Sequence, residues 1–349
     1  MGLHLSDRNT IKKSINHVWL FFTDRCNLGC GYCFFKYRSQ RQLISLETFQ
    51  NILNYIRPVA PAEFVFSGGE PLMDSDRLRE MITIIRQEGL SRYISVQTNA
   101  TLLNPSLMEF FLRHNVNLEV GIDGDEATTQ RNRPGIGDYY YRDILQGVQL
   151  VIGAKGPMTA TMVVHPASVA KLFDNVQYLA AMGLKSLEVH PAFLEVWDSE
   201  SSAVFLDQYR RACAWELKED QHGLIGRGYS EPARGHWDLL SVPSGKILAN
   251  WLLLSFPEAV REEMYLMDFA LGSSGDLLPQ AGPYFQALDE HLVRHPGCSY
   301  RSISNFNASY AAQTPAGRKY EQRVRDYIDL CEKIEAIDQK IMATTVWQR

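Results

Sequence analysis

Three of the six cysteines in this chain lie within eight positions, in the segment TDRCNLGCGYC at residues 23–33. Cys26, Cys30 and Cys33 are separated by three and then by two residues. Three thiolates at this spacing can hold three irons of a [4Fe–4S] cubane and leave the fourth iron without a protein ligand. A small molecule can coordinate that iron. The spacing therefore indicates one cluster with an open position.

Two other interpretations of these cysteines are a structural zinc site and a set of buried thiols. A structural zinc ion takes four ligands, and no nearby His or Cys completes such a set at the spacing of a zinc finger. Buried thiols can occur anywhere, but three in eight residues on a loop after a strand are improbable by chance. The cluster is the preferred interpretation.

Three further motifs follow in order, FSGGEPLM, QTNATLL and IDGDEATTQRNRP. Together with TDRCNLGCGYC they resemble the radical S-adenosylmethionine (SAM) superfamily over about residues 16–190. Within it, the motifs are similar to the branch that modifies peptides and proteins, which includes anaerobic sulfatase maturases and enzymes that modify ribosomally made peptides. That branch usually carries a C-terminal SPASM domain. The resemblance implies an enzyme with a [4Fe–4S] cluster and SAM as cofactors.

The resemblance also implies roles for individual residues. Cys26, Cys30 and Cys33 would bind the cluster, and its open iron would take the amino and carboxylate groups of SAM. The candidate SAM-binding residues are Tyr32, Gly68, Gly69, Glu70, Pro71, Thr98, Asn99, Asp123 and Arg133. The segment from Gly68 to Pro71 would bind the methionyl amino group, since glycines allow close approach of the backbone and a carboxylate suits an ammonium.

Two positions depart from the pattern that this resemblance implies. Ala100 stands where a TNG-like segment has glycine, and Gly121 stands where a serine often precedes the Asp-Gly pair by two residues. Thr98 and Asn99 would lie near the SAM ribose. Arg133 would meet the SAM carboxylate, with Arg131 as an alternative.

Three other residues are weaker candidates. His165 and His190 each end a predicted strand, where they could contact SAM or the substrate, although a lone histidine is more often structural. Cys213 could deliver a hydrogen atom to a substrate radical, but a buried helical thiol is the more ordinary interpretation.

The elements that must position these residues are short apolar segments that alternate with helical ones. The six predicted strands are 17–22, 63–66, 92–97, 116–122, 158–164 and 186–190. Such alternation builds βαβ units and a parallel sheet. Six units are too few for a closed barrel of eight, so we predict an α/β fold with a partial (β/α)6 radical SAM barrel. The candidate residues lie at the carboxyl ends of the strands, where the loops of a barrel converge.

The pattern changes near residue 200. We predict an N-terminal segment (1–15), a barrel core (16–200) and a mostly helical C-terminal extension (201–349) that shapes the substrate site. In the extension, 249–270 is predicted to be helical and 271–300 irregular. Cys213, Cys298 and Cys331 are far apart, so no auxiliary cluster is expected. Residues 273–280 resemble the glycine turn of a SPASM hairpin, and the extension is predicted to be a degenerate SPASM-like one.

Composition restricts the partners of this protein. The formal net charge of −5 argues against a surface that binds nucleic acid. No apolar run reaches the ~18 residues of a membrane span, and no secretory signal is visible, so a cytoplasmic protein is predicted. The expected partners are a peptide or small-molecule substrate and an electron donor of the flavodoxin or ferredoxin type. A non-catalytic electron-transfer or sensor protein is the alternative outside enzymes.

Overall fold

The computed structural model describes residues 15–36, 41–59, 61, 63–219, 223–226, 237–249, 253–254, 256–271, 277–294 and 300–346. Cys298, nearly all of the predicted N-terminal segment and the first part of the predicted SPASM-like turn lie outside these residues.

Six parallel strands form the core of one sheet. They are β1 (Ile15–Thr23), β2 (Glu63–Gly68), β3 (Tyr93–Thr98), β4 (Asn117–Gly121), β5 (Met158–Val164) and β6 (Leu187–Pro191). Their order across the sheet follows the sequence, from β1 to β6. All five pairings between them are parallel. The carboxyl ends of all six strands therefore lie along one edge of the sheet.

Helices follow these strands because apolar residues recur at helical spacing behind good N-caps. They are α1 (Leu46–Ile56), α2 (Ser75–Gln87), α3 (Pro105–Arg113), α4 (Glu126–Asn132), α5 (Tyr141–Gly153) and α6 (Leu172–Ala181). Ser45 and Asn104 accept hydrogen bonds from backbone N–H groups in the first turns of α1 and α3. The polar sequence after β4 predicts a loop, but the structure has helix α4 there, so this prediction is wrong. Asp125 caps α4 by accepting from the Thr128 N–H at 2.8 Å.

The C-terminal region begins with α7 (Ser199–Lys218) and then extends the same sheet. Strand β7 (Trp237–Ser241) pairs in parallel with β1 on the side opposite β2. Strands β8 (Lys246–Leu248) and β9 (Met267–Asp268) continue the sheet with antiparallel pairings. The boundary that we predict near residue 200 falls at the start of α7.

Helices make up most of the remaining C-terminal residues that the structure describes. They are α8 (Glu258–Glu262), α9 (Ala281–Arg294), α10 (Tyr300–Gln313) and α11 (Glu321–Val346). The helix predicted over 249–270 is wrong, because the described residues there contain the short helix α8, then strand β9 and the 3-10 turn Phe269–Leu271. The irregular structure predicted over 271–300 is also wrong, because α9 lies within that range. The α/β class, the partial six-stranded barrel and the helical C-terminal part are confirmed.

None of the helices in the described ranges is both long enough and apolar enough to cross a membrane.

Candidate functional site

The cysteine loop follows β1 and is held along its length by the segment that follows α4. The Gly29 N–H donates to the Pro134 carbonyl at 2.8 Å, and the Gly31 N–H donates to the Asn132 carbonyl at 3.2 Å. In return, the Ile136 N–H donates to the Asn27 carbonyl at 2.9 Å. This antiparallel contact fixes the segment that carries Arg133 beside the three cysteines.

The chemistry of the three cysteines suits a multi-iron cluster. Burial is the largest cause of the rise in the pKa of Cys30 to about 12, and the nearby Arg133 opposes this rise. Charge on Cys33 or Cys26 would add to the rise, because the three sulfurs lie close together. Within the described ranges, no three His, Cys, Asp or Glu side chains converge on the position of one ion. In a cubane each cysteine binds a different iron, so the three sulfurs need not meet at one point. Three thiols on one loop are the donor set that such a cluster needs, and the cluster itself stays a prediction from their spacing.

The Ser-Gly-Gly-Glu-Pro segment closes directly onto this loop. A Cβ atom on Gly68, whose φ is +129°, would lie 2.1 Å from the Thr23 carbonyl oxygen, and one on Gly69 would lie 1.9 Å from that of Arg25. The Gly69 N–H donates to the Thr23 carbonyl at 2.8 Å, and the Glu70 N–H donates to the Arg25 carbonyl at 2.7 Å. The two glycines are required because the end of β2 is pressed against the backbone that leads into the cysteines.

Glu70 is fully buried between the ends of β2 and β3. Its carboxylate accepts hydrogen bonds from Thr98 Oγ1 at 2.7 Å, from the Asn99 N–H at 2.7 Å and from the Leu72 N–H at 2.9 Å. Burial raises the pKa of Glu70 to about 7, although these three bonds oppose the shift. Pro71 begins the 3-10 turn Pro71–Asp74 directly after it. Three of about four acceptor positions on this carboxylate are thus occupied by the protein itself.

Asn99 connects the end of β3 to the cysteine loop through a residue that sequence reasoning missed. Asn99 Nδ2 donates to Asn27 Oδ1 at 2.8 Å, and Asn27 Nδ2 donates to Thr101 Oγ1 at 2.7 Å. Asn27 lies one position after the first cysteine, and its side chain is buried. Ala100, at the position of the expected glycine, has a φ of +63°. The backbone thus keeps a conformation that favours glycine.

Asp123 organises the opposite side of the loop, and three groups donate hydrogen bonds to its carboxylate. Its carboxylate accepts from the Tyr32 hydroxyl, from Arg133 Nη2 at 2.9 Å and from the Val163 N–H at 3.0 Å. The Arg133 guanidinium also lies 5.4 Å from the centre of the Tyr32 ring. Burial is the largest single effect and lowers the pKa of Arg133, but Asp123, Tyr32 and Cys30 together outweigh it and raise that pKa. Through these bonds the Asp123 carboxylate positions Tyr32 and Arg133.

Arg133 occupies the space that a side chain at position 121 would fill. A Cβ atom on Gly121 would lie 2.3 Å from Arg133 Nη1, so a serine at this position would displace the guanidinium. Arg133 is 10% exposed, and its buried Nε finds no hydrogen-bond acceptor among the described residues. That orphaned donor fits a ligand carboxylate. The alternative, Arg131, is exposed and donates to the Ala167 carbonyl.

The structure does not bring the three weaker candidates together. His165 Nδ1 accepts a hydrogen bond from the Ala167 N–H, and its Nε2 lies 3.5 Å from Glu195 Oε2. His190 Nε2 lies 3.1 Å from Glu188 Oε2. Cys213 is 1% exposed in the apolar core, on α7, which packs against α6 on the helical side of the sheet. Both histidines thus lie near the carboxyl ends of their strands, and Cys213 does not join them.

A comparison with family models identifies the core. The model described as Radical SAM superfamily matches residues 20–177. Residues 20–177 of this chain are a radical SAM domain. This family implies SAM and an iron–sulfur cluster as cofactors, and the superfamily resemblance noted from the motifs is confirmed.

Curated relatives of this radical SAM domain include enzymes. A serine-type anaerobic sulfatase-maturating enzyme of Klebsiella pneumoniae is 26% identical over 181 residues, which cover 49% of this chain and 46% of the enzyme. An uncharacterized protein of Methanocaldococcus jannaschii is 27% identical over 176 residues, 50% of this chain and 61% of that protein. A GTP 3',8-cyclase of Psychromonas ingrahamii is 20% identical over 222 residues, 63% of this chain and 62% of the cyclase. The chain matches about half the length of the sulfatase-maturating relative.

Solved structures with a similar fold include two that are described as complexes. The structure of anSMEcpe with bound AdoMet has a TM-score of 0.69 and 14% identity, and covers 93% of this chain and 99% of its own. The structure of SuiB from Streptococcus suis bound to its precursor peptide SuiA has a TM-score of 0.54 and 14% identity, and covers 69% and 61%. At this identity the similarity establishes the fold.

Proposed function

We propose that this protein is a radical SAM enzyme that removes a hydrogen atom from a ribosomally synthesised peptide and thereby starts modification of a side chain or of the backbone. When bound, a single [4Fe–4S] cluster would supply the electron that cleaves SAM to methionine and a 5′-deoxyadenosyl radical. A flavodoxin or ferredoxin would deliver that electron to the cluster.

One observation carries this proposal. Four separate segments converge on the loop of Cys26, Cys30 and Cys33, and each is fixed to it or to its neighbours by hydrogen bonds. These segments are the ends of β2, β3 and β4 and the turn after α4. A protein that only carried electrons would not need a buried arginine with an unused donor beside its cluster.

The residues would divide the work as follows. Cys26, Cys30 and Cys33 would bind three irons. Arg133, oriented by Asp123 and stacked beside Tyr32, would bind the SAM carboxylate through its unused Nε.

On the other side of the loop, Gly68, Gly69 and Pro71 would set the backbone against the cysteine loop, close to the methionyl amino group. Glu70 would hold Thr98 and Asn99 in place through its hydrogen bonds rather than by charge alone.

A peptide substrate is favoured by the proteins that share this fold and this domain. The relatives include sulfatase-maturating enzymes, and similar structures are described with a bound Cp18Cys peptide and with the SuiA precursor peptide. A small-molecule substrate is the second candidate, favoured by the match to a GTP 3',8-cyclase over 63% of this chain. The C-terminal region, which extends the same sheet, would shape the site for either substrate.

Anaerobic reconstitution tests the chemistry. We expect about four irons per chain and formation of 5′-deoxyadenosine from SAM after reduction with dithionite. Cys30→Ala should lose both, and Cys331→Ala, a thiol buried in α11, serves as the matched control and should keep both. Iron loading without 5′-deoxyadenosine, even with candidate substrates present, would refute the enzyme assignment.

A second experiment distinguishes the substrate classes and tests Cys213. The protein would be co-expressed with short peptides encoded beside its gene, and their masses measured, with deuterated solvent to reveal epimerisation. A mass change or deuterium uptake supports the peptide, whereas unmodified peptides together with turnover of a nucleotide or amino acid support the alternative. Because Cys213 lies in the core, Cys213→Ala should leave the modification intact.

A further inference from the structure

In β4, β5 and β6 the face of the sheet opposite the helices is polar and keeps accessible surface. In β4, β5 and β6 alternate residues are fully or almost fully buried, such as Leu118 and Val120, while the residues between them keep accessible surface. Such alternation means that one face is packed and the other borders a space. Glu119, Thr161 and Glu188 lie on the accessible face. We call the space that this face borders the inner chamber.

A row of hydrogen-bonded side chains crosses the inner chamber one step below the candidate SAM site. Ser67 Oγ donates to Gln97 Oε1 at 2.7 Å, and Gln97 Nε2 donates to Glu119 Oε2 at 2.7 Å. These residues directly precede the site on their strands, since Ser67 is followed by Gly68 and Gln97 by Thr98. Glu119 lies two residues before Gly121, against which Arg133 packs. The row therefore lies next to the proposed cofactor site, on the side of the amino ends of the strands.

The titratable groups that face this chamber are mainly the carboxyl groups of Glu63, Glu119 and Glu188. Glu63 and Glu188 lie near enough to Glu119 to raise its pKa, although burial is the largest cause of the rise to about 8. Among the residues that the structure describes, two histidines also face this row. His17 is already paired with Asp238 at 3.0 Å, and His190 lies 3.1 Å from Glu188. Three glutamates thus face the chamber, together with two histidines that each lie beside a carboxylate.

A donor on the same face also lacks a partner. Trp19 lies on β1 in register with Val65 of β2, on the face away from the fully buried Val18 and Leu20. Its Nε1 is buried, and nothing in the described part of the chain accepts a hydrogen bond from it. Buried indole N–H groups normally find an acceptor. The chamber therefore offers an unused donor as well as carboxylates, a combination that suits a ligand with both an amine and a carbonyl oxygen.

We infer that the inner chamber binds a cationic side chain of the substrate, such as a lysine or arginine, with Glu119 as its main partner and Glu188 beside it. This inference rests on the proposed function, in which a peptide enters from the same edge of the sheet. The Gln97 amide fixes the orientation of the Glu119 carboxylate, and a peptide carbonyl accepts from Trp19 Nε1. The chamber thus selects the residue that is placed beneath the radical.

Binding of two matched tripeptides tests this inference without radical chemistry. The probes are acetyl-Gly-Lys-Gly-amide and acetyl-Gly-norleucine-Gly-amide, which differ mainly in the amine, measured by saturation-transfer NMR on reconstituted, SAM-loaded protein without reductant. The lysine probe should bind at least about tenfold more tightly, the scale expected of a charged hydrogen bond. Glu119→Gln should remove this preference, and Glu109→Gln, an exposed position on α3, should keep it.

Equal binding of the two probes, no binding of either, or an unchanged preference in Glu119→Gln would overturn the inference. Glu188→Gln, which should weaken the preference, serves as a second variant if Glu119→Gln does not fold. Formation of 5′-deoxyadenosine is measured separately on the wild-type protein. Loss of that activity with the lysine preference intact would count against the proposed function alone, and the opposite result would count against this inference alone.

Discussion

Replacing Asp123 by Asn should be among the most damaging conservative changes to this protein. The carboxylate is 1% exposed and accepts from the Tyr32 hydroxyl, from Arg133 Nη2 and from the Val163 N–H. Asn keeps the shape but removes the charge that balances a guanidinium only 10% exposed. Breaking a buried ion pair by removing one partner costs about 3–5 kcal/mol. That is a large fraction of an ordinary free energy of unfolding, about 5–15 kcal/mol.

Urea denaturation of the protein without its cluster measures this cost directly. Asp125→Asn, two residues further on, is the matched control. Asp125 caps α4 through its side chain, and Asn caps helices about as well as Asp, so its free energy of unfolding should change by less than about 0.5 kcal/mol. Asp123→Asn should lower the urea midpoint strongly without changing the slope.

A double-mutant cycle with Arg133→Met separates the charge pair from ordinary packing. Each single variant leaves one uncompensated buried charge, whereas the double variant leaves none. The double variant should therefore be less destabilised than the sum of the singles by about 2 kcal/mol or more. Additive effects, or a cost of less than about 1 kcal/mol for Asp123→Asn, would refute the reasoning.

Three further outcomes are expected. Gly69→Ala should cost about 1–3 kcal/mol and lower the iron content after reconstitution, because its Cβ would lie 1.9 Å from the Arg25 carbonyl oxygen; wild-type iron content would contradict this. Ala100→Gly should raise the melting temperature through a gain of up to about 1 kcal/mol, since a φ of +63° favours glycine; a lower melting temperature would count against it. Burial raises the pKa of Glu119 from 4.5 to about 8, so the folded state binds more protons than the unfolded state in that range, and stability should fall as pH rises from 4.5 to 8. Glu119→Gln should flatten that decline by a few kcal/mol, about 1.4 per pKa unit at most, and parallel curves for the two proteins would disprove the assignment.

Local sequence signals predicted the parallel core well. Strand β5 has the predicted bounds, Met158–Val164, because its β-branched residues are bounded by glycine and proline. The spacing of the cysteines and the Gly-Gly pair also identified the loop and the segment that closes onto it. These features depend on neighbours in the chain, which is why patterns of residues reveal them.

Features that depend on distant contacts could not be predicted in this way. Glycine at position 121 makes sense only with Arg133 lying against it. Helix α4 has a good N-cap at Asp125, but its seven residues carry no apolar stripe long enough to indicate a helix. The leucine-rich sequence after β8 is compatible both with a helix and with a buried strand, because a short apolar run does not distinguish the two.

The pairing of β7 with β1 limits how this protein can be recombined with its relatives. A hybrid joined near residue 200 would keep all six strands of the core but separate β1 from its C-terminal neighbour. The exposed edge would belong to the strand that leads directly into the cysteines, and unpaired edges invite aggregation. Exchange of substrate-recognition halves, in the laboratory or in evolution, therefore requires that the incoming half bring a strand able to take the place of β7.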